Sequence, residues 1–134
     1  MEKYLGRFSP EIYALLRIVA GFCFAMHGTQ KLFGWPGDKD TAELASMMGF
    51  AGIVELVGGI LIMIGMVAGY AAFISSGQMA VAYFMVHIPQ DWNPLVNGGE
   101  LALIYCFLFL FIASRGAGIW SVDASRSART PVGT

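Results

Sequence analysis

Between Gly49 and Ile88 the chain runs for 40 residues with one carboxylate, Glu55, and no lysine, arginine or aspartate. A helix needs roughly 20 apolar residues to cross about 30 Å of hydrocarbon. The stretch is therefore two spans long and has to turn on itself. GMVAGY, from Gly65 to Tyr70, supplies the flexible glycines for that turn.

Two more apolar segments flank it. The predicted spans are 12–33, 49–67, 69–88 and 98–114, followed by a polar tail over 115–134. A polar loop, GWPGDKDTAELAS, separates the first two spans, and PQDWNPLVN with its two prolines separates the last two. Backbone in lipid has to satisfy its own hydrogen bonds, which selects helices over open strands. The expected fold is all-α, a single integral membrane domain built as an antiparallel four-helix bundle. Composition agrees: 57% of residues are hydrophobic and only 13% charged, about half the charge of a soluble domain. A net charge of -1 gives no reason to expect nucleic acid as a partner, whereas a lipid bilayer explains the whole pattern.

Orientation follows from the cations. Lys3, Arg7, Arg115, Arg126 and Arg129 fall on the side of the termini, against Lys31 and Lys39 on the other. The expectation is a multi-pass protein of the cell (inner) membrane with both termini cytoplasmic. MEKYLGRFSPEIY has an acid after Met1 and no A-x-A site closing the apolar run, unlike a cleavable signal. The tail, rich in small and polar residues, is expected to be loosely ordered.

Ionisable groups inside spans are costly and mark pairs or sites. On a helix turning about 100° per residue, Arg17, Gly21, Phe24, Gly28 and Lys31 share one face, with His27 on its flank. Glu55, Gly59, Ile62 and Met66 form a similar face in the second span, with Gly58 beside it, and Asn97, Glu100 and Ile104 lie on one side of the fourth. The glycines allow close helix approach, so Gly21, Gly28, Gly58 and Gly59 are assigned to helix packing. Depth, at about 1.5 Å per residue, sorts the rest. His27, Lys31, Glu55, His87, Asn97 and Glu100 gather in the outer half. Lys31 is the expected partner of Glu55 or Glu100, and Gln78 lies near mid-membrane. Arg17 stands apart and, unless its side chain reaches up the bundle, snorkels toward the cytoplasmic interface. Helix-end residues such as Lys31, His87 and Asn97 also read as simple interface anchors, and an Arg17 or Glu55 ion pair as purely structural. Trp35, Trp92 and Trp120 fall at span ends and read as interface anchors.

Other chemistry finds no pattern. Cys23 and Cys106 lie far apart in apolar runs, in no metal-ligand spacing. The eight methionines read as apolar filler, and no metal site is expected.

Taken in order, R-x-x-x-G with HGTQKLFGWPG, GIVELVGGILIMIG, NPLVNGGELALIYCFLFL and RGAGIWSVD resemble the DoxX family of small membrane proteins, over about Leu15 to Asp123. The resemblance implies four transmembrane helices with cytoplasmic ends. It also implies a link to membrane oxidoreductase assemblies, since the family takes its name from a subunit of an archaeal thiosulfate:quinone oxidoreductase. It highlights Arg17, His27, Gly28, Lys31, Glu55, Gly58, Gly59, Asn97, Gly98, Gly99 and Glu100. Two functions follow. One is a redox-associated subunit that offers a quinone headgroup its outer polar cluster, with no intrinsic cofactor and with electrons supplied by other membrane or peripheral subunits. The other is a non-enzymatic accessory, scaffold or assembly subunit whose cluster fixes helix packing.

Overall fold

The computed structural model describes residues 1–128, so Arg129 and the rest of the tail, 130–134, lie outside the described residues. Every regular element among them is helical. A short helix α1 (Glu2–Leu5) and a tight turn lead into the long α2 (Ser9–Phe33). α3 (Met47–Ile64) and α4 (Ala68–Ala82) follow, and α4 continues as a π-helical turn through Tyr83–His87. α5 (Glu100–Arg115) and a short α6 (Val122–Ser127) complete the fold. α2 with its N-terminal lead, and α3, are each long and apolar enough to cross a membrane.

The termini of these helices follow from local chemistry. Pro10 opens α2, where its missing N–H is not needed, and Gly34 closes it in the left-handed conformation at φ 71°. Ser46 caps α3 by accepting from the Gly49 N–H. The 40-residue apolar stretch breaks at Gly65, whose φ of 70° lets its N–H turn back to the Ile62 carbonyl. The side chain of Asp123 then caps α4, accepting from the Val67 and Ala68 N–H groups at 2.9 and 3.1 Å.

Sequential helices run antiparallel, and the closest packing joins α2 to α3 and α4 to α5, with α3 against α4. Glycine sets the α2–α3 spacing. A Cβ on Gly21 would lie 2.5 to 2.8 Å from backbone atoms of Gly59 and Met63, and one on Gly28 would collide with the backbone of Gly52 and Leu56. Gly58 turns the other way, toward the Ser75 hydroxyl of α4. The α2–α5 seam is built differently. Its backbones stay apart, and rings fill the gap: Phe24 meets Phe109 at 4.6 Å and Tyr105 at 5.4 Å between centroids.

The tail departs from expectation. From Gly116 to Ser127 it docks onto the ends of α2 and α3 instead of hanging loose. The Tyr13 hydroxyl donates to the Gly116 carbonyl at 2.5 Å, and the Asp123 N–H donates to the Gly65 carbonyl at 3.0 Å. Composition hides this because most of the contacts are made by backbone carbonyls.

Candidate functional site

α2 carries Lys31 one turn beyond His27, near its C-terminal end, and α3 carries Glu55 two turns in from its N-terminus. Antiparallel packing brings the two level. The Lys31 ammonium pairs with Oε1 of Glu55, whose side chain is 2% exposed against 30% for Lys31. Gln78 of α4 donates to the same Oε1 at 3.1 Å. Three helices thus converge on one carboxylate oxygen. The other, Oε2, is buried without a hydrogen-bond partner among the described residues, as is Oε1 of Gln78.

Beside this carboxylate lies a cavity of about 200 Å³. α2 contributes Phe24, His27 and Lys31, and α5 contributes Leu101, Ala102 and Tyr105. Met79, Ala82 and His87 close it from α4 and its π-helical end, with Gly98 from the turn before α5. π-Helical turns frequently accompany functional sites, and here one carries His87 to the cavity.

The two histidines differ in their partners. The His87 Nδ1 sits 2.9 Å from the Asn97 carbonyl, which can only accept, so Nδ1 donates there and the Nδ1–H tautomer leaves Nε2 as an acceptor. His27 is half-buried, edge-on to Tyr105 at 6.2 Å, and its ring nitrogens have no hydrogen-bond partner among the described residues. The cavity therefore offers donors on Lys31, acceptors on Glu55 and His87, and aromatic faces on Phe24 and Tyr105.

Two larger hollows, of about 340 and 460 Å³, lie at the α2–α3 loop and beside the C-terminal segment. Neither is lined by a buried carboxylate. Lys31 lines both the hollow at the α2–α3 loop and the cavity.

Three of the sequence assignments change place. Glu100 is exposed in the first turn of α5 and lies outside the cavity lining, as does its supposed face-mate Ile104, 54% exposed. An acid at a helix N-terminus is stabilised by the dipole and needs no buried partner. Asn97 is buried, but its side chain serves the loop: it donates to the Asp91 carbonyl at 2.8 Å and accepts from the Gly99 N–H at 2.7 Å. Arg17 is apart from the cluster, yet it does not snorkel, being 0% exposed. Its Nη1 donates to the carbonyls of Ile62 and Met63 at 2.7 Å, and its Nη2 to that of Trp120 at 2.8 Å. A cation there answers the carbonyl end of the α3 dipole. Gln78, Tyr105 and Phe24 belong to the site, though no motif marks them as such. A weak signal existed for Gln78, the one amide between Gly49 and Ile88.

The DoxX family profile matches residues 12–88, the part of the chain that supplies Lys31, Glu55 and Gln78. The chain belongs to the DoxX family. An uncharacterized protein of Haemophilus influenzae is 41% identical over 125 residues, covering 89% of this chain and 93% of the relative. A second uncharacterized protein of that organism is 30% identical over 69 residues, covering 52% of this chain and 46% of the relative. No solved structure matches. Family membership and the two long apolar helices make this DoxX protein a membrane protein. Among the described residues no group of three or more His, Cys, Asp or Glu is arranged to hold a metal ion.

Proposed function

We propose that this DoxX protein is a multi-pass subunit of a membrane oxidoreductase system whose outer cavity holds a quinone headgroup. In this reading α2 to α5 form a four-helix membrane bundle with both ends in the cytoplasm of a cell with an inner membrane. The observation that carries the proposal is the buried Glu55 in the lining of a ring-sized cavity, with its Oε2 left without a hydrogen-bond partner among the described residues. A buried acceptor left empty costs about 1–3 kcal/mol, so a ligand hydroxyl that satisfied it would gain affinity there.

Size and chemistry agree with a single ring. An apolar cavity of about 150 Å³ accepts benzene, and this one, at about 200 Å³, admits a substituted ring but not a bicyclic drug-sized molecule. Quinone carbonyls need donors, which the spare Lys31 N–H groups and a His27 N–H supply. Hydroquinone hydroxyls need acceptors, which Glu55 Oε2 and His87 Nε2 supply. The protein's own side chains bind, orient and exchange protons; electrons come from a partner subunit.

The test is equilibrium binding of ubiquinone-1 and of its hydroquinone to the purified full chain. His27→Ala is expected to weaken the quinone at least tenfold, and Glu55→Gln to weaken the hydroquinone at least tenfold. Glu100→Gln, outside the cavity, is expected to change neither. Affinities indifferent to His27 and Glu55 would count against the site. A second reading, a scaffold whose polar cluster only ties helices together, draws on the convergence of Lys31 and Gln78 on one Glu55 oxygen. It requires that neither ligand bind.

A further inference from the structure

The cavity is walled toward α3 by close glycine-mediated packing, but toward the α2–α5 seam by side chains alone. Tyr105, 7% exposed, lines the cavity on its inner side, and the Cys23 thiol neighbours its hydroxyl from the exposed face of α2. Leu101 lines the cavity and is also 47% exposed on the outside of the bundle. His27 is half-buried on the same flank, with ring nitrogens that nothing in the described chain satisfies.

A half-buried imidazole without partners is costly where its surroundings are hydrocarbon. This flank is apolar on both sides, Leu16 and Val19 on α2 and Ile104 and Phe107 on α5 all being more than 40% exposed. Cys23 lies one helical turn from His27 toward the middle of α2, so the seam runs from the cavity mouth toward mid-span.

Resting on the quinone reading above, we propose that the cavity is a lateral port. Its ligand enters from the bilayer between α2 and α5, not from water, and is a ring bearing an apolar isoprenoid tail. The ring sits against Tyr105 and His27, and the tail lies along the seam past Cys23 and Ile104. The exposed apolar side chains beside Leu101 and His27 specify this occupant, because a polar tail would find no partner there. The second hollow at Lys31 is then left as the aqueous side of the same site, open to protons rather than to the ligand.

Cys23 reports on the port. In the Cys106→Ala full chain, held in lipid nanodiscs, N-ethylmaleimide alkylates Cys23 and places a bulky group at the mouth. Ubiquinone-1 is the probe, since its fully substituted ring does not add to thiols. Alkylation is expected to weaken its binding at least tenfold, and bound ubiquinone-1 to slow alkylation at least fivefold. The Cys23→Ala, Cys106→Ala chain exposed to the same reagent is expected to bind as if untreated. Binding that ignores alkylation, with no protection of the thiol, overturns the port and leaves the quinone reading standing. No binding to the untreated chain overturns both.

Discussion

Replacing Arg17 by methionine tests how the tail is held. The guanidinium makes three short charge-assisted bonds, to the carbonyls of Ile62, Met63 and Trp120. Methionine keeps much of the buried volume but donates nothing. The Ile62 carbonyl retains the Gly65 N–H at 3.2 Å, so two acceptors, on Met63 and Trp120, lose their short side-chain donor. At about 1.5 kcal/mol for each orphaned group, the loss is about 3 kcal/mol, lessened by the recovered cost of burying a cation. Trypsin cleavage after Arg115 reads the opening of the docked segment, provided that closing outpaces cleavage. Since about 1.4 kcal/mol is tenfold, Arg17→Met is expected to speed that cut by tenfold to a hundredfold. Arg17→Lys, with a compact ammonium in place of the fork, is expected to fall between. A rate within threefold of the parent chain for Arg17→Met would refute the assignment of Arg17 as the fastener of the tail.

Three further outcomes are expected. Gly28→Ala places a Cβ into the backbone of α3 and should cost about 1–3 kcal/mol by overpacking. Gly77→Ala has no atom within 4 Å of its new Cβ and should leave thermal unfolding in detergent unchanged or slightly improved. Lys31→Met strands a buried carboxylate, whereas Lys31→Met with Glu55→Gln strands no charge; a double-mutant cycle of thermal stabilities is expected to give a coupling of about 0.5–3 kcal/mol. A cycle that closes to zero would show that the pair contributes nothing.

The sequence carried the helices plainly, because an apolar run of twice the membrane thickness has few ways to fold. It also carried the α2 face of Arg17, Gly21, Phe24 and Gly28, all buried, and the level at which Lys31 meets Glu55. Depth along an axis is arithmetic on residue numbers. Rotation about the axis is not, where a helix has barely begun. Glu100 sits at the right depth but opens α5, so its face could not be read, and it turns outward. Residue counting puts Gln78 near mid-membrane, yet its amide reaches Glu55 across the α3–α4 contact. By sequence Arg17 is a cation with no acid at its own depth, a pattern that points to the interface. Its acceptors are main-chain carbonyls at the end of α3 and in the tail, and carbonyls have no sequence signature. The docking of the tail went unread for the same reason.

The central claim is that a quinone ring occupies the cavity between His27, Glu55 and Tyr105. Photolysis of a tailed azidoquinone with the purified chain, followed by peptide mapping, tests it most directly. The expected result is labelling confined to the segments around Phe24–Lys31 and Leu101–Tyr105, competed away by ubiquinone-1 and lost in His27→Ala. Labels scattered over the exposed apolar faces of α3 and α4, with no competition, would contradict it.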